Sequence, residues 1–578
     1  MNLTVSTGLT SISVPNVVGD TQVAATTAIT GAGLTLGTVT TASSATVAVG
    51  DVISQNPTAG TSVASGSAVN LTVSSGPSSD VVTSRYDNTR SGVNSHETTL
   101  TTANVNSTTF GKLGEFTVDG QIDGQILYLN QLNIPGTGLK NIIYAATEKD
   151  SVYAFDADSV SGITGTFLWK TSVVPAGESP VDAASLPCGN LPFNGVTATP
   201  VIDRNLNAIY VVAMTKDGTG NIIDRIHALD LTTGSEIFGG PTTITATYPG
   251  TGGNSSGGVV TFLPNVHHDR AALLESNGIV YTAWSGLDGD CGNYSAWVIA
   301  YNASTLAPAG AIDLVPNDAW GGMWMGGGGA AADAAGNVYV ITGNGNTGHD
   351  TPGTNSYYGN SFVKLSNSGS LSVADFFTPS NTIAEDDADE DFGSAGPVLL
   401  PDLVDASNVT QHLAIGAGKD GNMYVVSRDN MGHFNAAANQ VHQQIKIASS
   451  ENFYSPVYFN GMVYVGPSGT PIEAYAMTKT MLPATPTSQT TQAIGSGVTI
   501  SANGTNAGIA WAVSFGSNAM YAFDANNLAT QLYNTNQAAA HRDTPTAISG
   551  HFIAPMVMNG KVFFGTSSTV AVYGLLGP

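Results

Sequence analysis

One short motif recurs along this chain and limits what it can fold into. YAFDADS at 153–159 returns as YAFDANN at 521–527. HALDLTTG at 227–234 and AYNASTL at 300–306 are variants of it. Each copy closes a β-branched or aromatic run and enters a turn built on Asp or Asn, whose side chains bond their own backbone two residues on. A strand followed by the same turn, repeated at intervals, marks an array of small sheets that share a plan.

The background around the motif agrees. Val, Thr, Ile and Tyr alternate with polar residues in short runs broken by Gly, Asn, Asp and Pro, which predicts an all-β protein. Only 10% of the 578 residues are charged, and 68 are glycine. No apolar run approaches the roughly 18 residues that span a bilayer, so no membrane insertion is expected. The 42 acidic residues outnumber the 17 basic ones, for a net charge of −25. That balance offers no basic footprint for nucleic acid and none for anionic lipid.

Cys188 and Cys291 are the two cysteines. With no CxxC, CxxCH or adjacent pair, zinc ribbons, attached haem and thioredoxin chemistry are excluded. One disulfide, which would suggest an oxidising compartment, and two buried thiols are both open on this count.

The front of the chain reads as a separate small domain. VPNVVG at 14–19 precedes a stretch in which Val23, Ala24, Ala28 and Ile29 fall at helical spacing, ended by Gly31 and Gly33. Two strands, a Q-x-P-x-x-G-x-x-V element at 55–63 and a V-x-L-T-V-S-x-G ending follow. In these positions residues 9–76 resemble a PASTA domain, and the resemblance implies an extracellular place. NLTVSTG at 2–8 repeats NLTVSSG at 70–76, so residues 1–8 are expected to be the last strand of a preceding PASTA unit, or a strand donated to a neighbour. Self-association through that strand or a PASTA array is expected, and a cell-wall or surface glycan is a further candidate partner. Residues 77–84 read as a Gly/Pro/Ser linker.

Residues 85–578 divide into eight four-stranded units. The eighth stops after its third strand, and KLGEFTVD at 112–119 stands unpaired ahead of the first. Pairing the two would close a ring, so the fold expected is mainly β: an eight-bladed propeller behind a small α+β domain. LDLTTGSEIFGG at 229–240, and more loosely 155–169, resemble the tryptophan-docking repeat of quinoprotein-like propellers. On that resemblance Asp156, Asp230 and Asp524 cap turns, Gly234 supplies a positive φ, and Trp169 and Phe238 pack on the next blade. The span from 84 to the fifth blade also resembles bacterial secreted PQQ-repeat-like proteins.

In a propeller, loops entering each innermost strand share a face with those joining the second and third strands. That rule groups His267, His268, Asp269, Arg270, Trp320, Trp324, Lys419 and Asp420 as a candidate ligand face. It also places Cys188 and Cys291 in loops of consecutive blades on that face, and a Cys188–Cys291 disulfide is predicted. The acidic run 384–391, with Asp387, Asp389 and Asp391, is a Ca²⁺ candidate, against the alternative of a solvated loop. The resemblance to quinoproteins implies PQQ, Ca²⁺ and a catalytic Asp. This chain lacks the vicinal cysteines that alcohol-oxidising members carry, and its outer repeats decay after the second blade, so no PQQ and no catalytic residue are expected. The function expected is a non-enzymatic extracellular surface scaffold, adhesin or fibre subunit, with a PQQ/Ca-dependent oxidoreductase as the alternative.

Overall fold

The structure, a computed structural model, describes residues 11–42, 47, 48, 50–74, 80–160, 162–189, 191–345, 351–354, 356–367, 370–447, 451–550 and 552–577. They form two compact units divided between Ser79 and Asp80. The expectation for residues 1–8 lies outside the described residues.

In the first unit, Ala68–Ser74 is the central strand of a sheet, parallel to Thr35–Ala42 and antiparallel to Val52–Asn56. The helix Gln22–Gly31 starts where Thr21 accepts a bond from the Ala24 N–H, and it buries Ala25 and Ile29. Val23 was expected on that inner face and is 78% exposed instead. It lies two residues from Ala25, about 200° around the helix, and so points away from the core. The Gln55 amide explains its element: Oε1 accepts the Val17 N–H at 2.8 Å, and Nε2 donates to the Pro15 carbonyl at 2.8 Å.

In the second unit the described residues make eight blade sheets, four of four strands, three of five and one of six, with three two-stranded sheets beside them. The innermost strands of the blades are Leu127–Ile134, Val201–Asp203, Leu274–Ser276, Ala331–Ala332, Val398–Leu399, Val457–Phe459, Val498–Asn503 and Met556–Met558. The ring closes as the orphan segment predicts. Phe110–Thr117 pairs antiparallel with Thr569–Leu575, from Thr117 opposite Thr569 to Phe110 opposite Leu575, and becomes the fourth strand of the eighth blade.

The recurring motif has a recurring job. Asp156, Asp230, Asn302 and Asp524 each accept, on Oδ1, the N–H of the residue two positions on, at 2.8–3.1 Å. The carbonyl just after such a turn then receives a tyrosine from the preceding blade. Tyr144 donates to Leu231 at 2.9 Å, Tyr210 to Ala303 at 2.8 Å and Tyr464 to Ala525 at 2.8 Å. Trp169 adds its indole N–H to the Leu231 carbonyl at 3.0 Å. Gly234, at φ 70°, lies against that indole, where a Cβ would come within 2.5 Å of the ring. Phe238 packs on the cluster shared by the second and third blades.

The linker expected at 77–84 gives way at its far end. Val81 pairs with Tyr128 in both directions, at 2.7 and 3.0 Å, and the Ile202 N–H donates to the Val82 carbonyl at 2.8 Å. Two adjacent valines in a run of small polar residues have apolar surface to bury, and the inner strands of the first two blades take it. From there residues 80–97 run as a strap along the axis and touch every blade. Asn88 donates to Glu275 of the third blade and its carbonyl accepts from Ala332 of the fourth. The Thr89 carbonyl accepts from Leu399 of the fifth, and Gly92 from Ile500 of the seventh. Asn94 donates to Val557 of the eighth.

Two fully buried guanidiniums fix the strap. Arg85 donates to the Pro456 carbonyl of the sixth blade at 2.8 Å. Arg90 donates to Ala330 at 2.8 Å, Leu273 at 3.0 Å, Ser84 at 2.8 Å and the Thr83 hydroxyl at 2.6 Å. Burial lowers the proton affinity of both, yet the guanidinium starts so basic that both stay charged at neutral pH. Arg90→Met is therefore expected to leave three carbonyls and a hydroxyl without donors and to cost about 3–6 kcal/mol, measured by urea unfolding of the full chain.

Candidate functional site

A cleft opens at the axis on the face where the entry loops converge. Its outer chamber, of about 340 Å³, is lined among others by Arg270, Asp288, Asp290, Trp324, Asp389, Asp391, Lys419, Phe453 and Phe552. A much smaller inner chamber lies beyond Arg270, bordered by Gln125, Thr197, His268 and, from the strap, Ser84. Each group arrives by topology. Arg270 enters the third blade, Trp324 the fourth, Asp389 and Asp391 the fifth, Phe453 the sixth and Phe552 the eighth. Asp288, Asp290 and Lys419 come from turns between second and third strands.

Glycines let these parts meet. A Cβ on Gly326 would come within 2.7 Å of the Phe552 ring. One on Gly418 would meet the Asp391 carbonyl at 2.8 Å, just where the Lys419 N–H donates to that carbonyl at 3.0 Å.

Both cations in the cleft are paired. Arg270 Nη1 lies 3.0 Å from Asp288 Oδ1, and its guanidinium covers the rings of Phe552 at 4.6 Å and Trp324 at 5.4 Å. Lys419 Nζ bridges Asp391 at 2.7 Å and Asp389 at 3.1 Å. Burial pulls the Lys419 ammonium down, and the two carboxylates more than reverse it, leaving its pKa raised. Burial raises Asp391 against the pull of Lys419. It also raises Asp290, which accepts a bond from the Tyr294 hydroxyl.

Deeper in, Thr197 donates to Glu148 Oε2 at 2.9 Å and meets His268 Nε2 at 2.9 Å. Burial, then the neighbouring Asp123, pushes the Glu148 carboxyl well up, and burial holds the His268 imidazole down. His268 Nδ1 lies 3.9 Å from Asp288 Oδ1.

The predicted ligand face is thus partly assembled. His268, Arg270, Trp324 and Lys419 border the cleft. His267 does not: it is buried, stacks on Phe262 at 4.7 Å, bonds Leu263 and accepts from Ser295, and burial lowers it to about 4. Trp320 sits on the surface, 46% exposed, donating to Gly292. Asp420 serves its own turn, accepting from Asn422 and Tyr424. Asp288, Asp290, Phe453 and Phe552 went unremarked in the sequence. The entry-loop rule applied to the sixth and eighth blades would have found the two phenylalanines, and its second-to-third-strand branch on the third blade the two aspartates.

The acidic run named as a calcium candidate is in part helical and in part paired. Part of the acidic run is a helix, Thr382–Asp387. Glu385 is buried within it, Asp387 is exposed at its end, and Asp389 and Asp391 are held by Lys419, an internal cation. Among the described residues no three acidic, His or Cys side chains gather as metal ligands do. Cys188 and Cys291 are joined, with an S–S distance of 2.02 Å. The bridge ties the loop carrying Asp288 and Asp290 to the segment that enters the second blade.

The PASTA domain family matches residues 12–75. Among solved structures, the quinohemoprotein alcohol dehydrogenase from Comamonas testosteroni aligns with 16% identity and a TM-score of 0.57, over 86% of this chain and 80% of that one. The chain carries a PASTA domain followed by an eight-bladed β-propeller with the fold of this dehydrogenase. A europium-containing methanol dehydrogenase aligns at 13% identity with a TM-score of 0.56, over 86% of this chain and 98% of that one. The quinohemoprotein alcohol dehydrogenase ADHIIG from Pseudomonas putida HK5 aligns at 13% with a TM-score of 0.55, over 86% and 81%. At such identities the likeness carries the fold. No curated protein matches this chain at a significant level.

Two predictions follow from the buried groups and the bridge. Burial raises Asp313 to about 6 and Asp386 to about 7, and burial with Asp420 raises Glu385 to about 9. A carboxyl raised on folding stabilises fully below its unfolded pKa and loses that contribution as pH climbs through the folded value. Burial holds His267 and His268 below the usual imidazole pKa, so they add stability as pH rises through about 6.5. The Tm of the propeller is therefore expected to fall between about pH 7.5 and 9, and Glu385→Gln to flatten the fall, both read by calorimetry. Opening the 103-residue loop with Cys188→Ser/Cys291→Ser is expected to cost about 2–5 kcal/mol in denaturant unfolding.

Proposed function

We propose that this protein works at the cell envelope as a non-enzymatic scaffold or adhesin, its PASTA unit associating with the wall and its propeller displayed as a rigid ring. The PASTA match supports the wall association. The Cys188–Cys291 bridge supports an oxidising compartment. Among the described residues no helix is long and apolar enough to cross a membrane.

The observation that carries the non-enzymatic half is the charge of the cleft. The solved neighbours are named as quinohemoprotein and methanol dehydrogenases, and a quinone of the PQQ type is a planar polycarboxylate. Such a group needs free cations and an uncovered aromatic face. Here four aspartates line the outer chamber against one arginine and one lysine. Both cations are already closed by carboxylates, and the Arg270 guanidinium lies over Trp324 and Phe552. Seating a polyanion there would break buried ion pairs and strand their partners, at several kcal/mol each. The residues present do not fit the cofactor, and a shared fold does not bring the reaction with it.

The test is reconstitution of the full chain with PQQ and Ca²⁺, followed by dye reduction with primary alcohols. No turnover above the protein-free control is expected. Quinone-dependent turnover would overturn this reading in favour of an oxidoreductase.

A further inference from the structure

We infer that the axial cleft binds one neutral pyranoside residue of a glycan. Three buried polar atoms at the cleft have no hydrogen-bond partner: Gln125 Nε2, His268 Nδ1 and Trp324 Nε1. Gln125 is 6% exposed and His268 2%, so bulk water does not satisfy them. Buried polar groups in folded proteins are nearly always bonded, and a gathering of exceptions at one place marks where something belongs.

The missing partner has a definable chemistry. Two of the three atoms are donors, since the Gln125 Oε1 already accepts the Arg85 N–H and an indole nitrogen can only donate. The third, His268 Nδ1, lies 3.9 Å from Asp288 Oδ1 and donates or accepts according to the ring's tautomer. Donors that need an acceptor and carboxylates that need a donor call for an occupant that does both, as a hydroxyl does. The occupant is not an anion, because the outer chamber holds four aspartates against one arginine and one lysine, and both cations are already paired. Those paired carboxylates still hold lone pairs for hydroxyl groups, and the Asp389 side chain, 63% exposed, is open to them. Phe453 supplies apolar wall for the C–H face of a sugar ring.

The dimensions agree with a small ligand. The outer chamber, about 340 Å³, lies at the lower end of the roughly 300–1,000 Å³ of ligand clefts. The inner chamber, about 30 Å³, has room for a single hydroxyl or water. A neutral polyol fills both and breaks no ion pair.

The experiment is calorimetry and saturation-transfer NMR on the full chain with methyl pyranosides of glucose, galactose, mannose and N-acetylglucosamine, with glucuronate and PQQ as charged probes. Saturable binding of at least one neutral glycoside is expected, little changed by 0.5 M NaCl. Trp324→Phe, which removes the indole N–H, and Asp389→Asn, at an exposed position, are each expected to weaken it about tenfold with an unchanged circular dichroism spectrum. The proposal is overturned if no neutral glycoside binds, if glucuronate or PQQ binds tighter, or if both variants bind as the parent does, which would place the sugar on the PASTA unit or elsewhere. The dye assay reads separately: a redox-silent chain that binds no sugar remains a scaffold.

Discussion

The ring depends on what fills its axis. Eight sheets arranged around a centre leave their innermost strands facing a channel, each with an edge of backbone groups to satisfy. The strap at 80–97 answers those groups blade by blade, and Arg85 and Arg90 do it with charge: one donates to a carbonyl of the sixth blade, the other to Leu273 and Ala330 at the third and fourth. A guanidinium suits this task, since its donors fan out in a plane and reach several acceptors at once. Its counter-charge is near at hand in Asp87, which the Thr89 and Ser91 hydroxyls bond. Because the strap occupies the axis, the cleft above it is a blind pocket, and Ser84 belongs to both.

Between blades the structure uses a cheaper device, repeated. An Asx turn fixes a carbonyl, and an aromatic hydroxyl or indole from the previous blade reaches it. Where the turn motif is sharp the device is complete, as in Tyr144 and Trp169 on Leu231. Where the motif decays the interface is held otherwise. Tyr339 of the fourth blade bonds its own Asp333, and the fifth is packed through Phe377, Phe392 and Tyr424. Aromatic packing tolerates more sequence change than a hydrogen-bonded turn, which is why the outer signature can blur while the ring persists.

That contrast explains how much could be read in advance. The turn motif, the orphan strand at 112–119 and the PASTA elements are local patterns with one structural meaning, and the blades and the closing pair followed from them. The cleft was half legible: a topological rule placed Arg270, Trp324, Lys419 and His268 on one face, yet it could not distinguish His268 from its neighbour. Adjacent residues on an extended backbone point to opposite sides, so His267 went to the core by alternation alone. The strap was illegible for a different reason. Its partners lie up to several hundred residues away, and no local pattern announces that a polar, Gly- and Ser-flanked segment will be threaded through a ring.

The acidic run at 384–391 shows why composition misleads about chemistry. Six carboxylates in eight residues suggest a cation site, and a cation is indeed there, as Lys419. The positive charge that Asp389 and Asp391 meet is covalently supplied by Lys419. It also sets the electrostatics of the whole cleft, because an ammonium shared by Asp389 and Asp391 has little attraction left for an anion. With Arg270 likewise closed by Asp288, the cleft presents more carboxylate than free cation, so its unfilled hydrogen-bond donors are the groups left to meet a ligand.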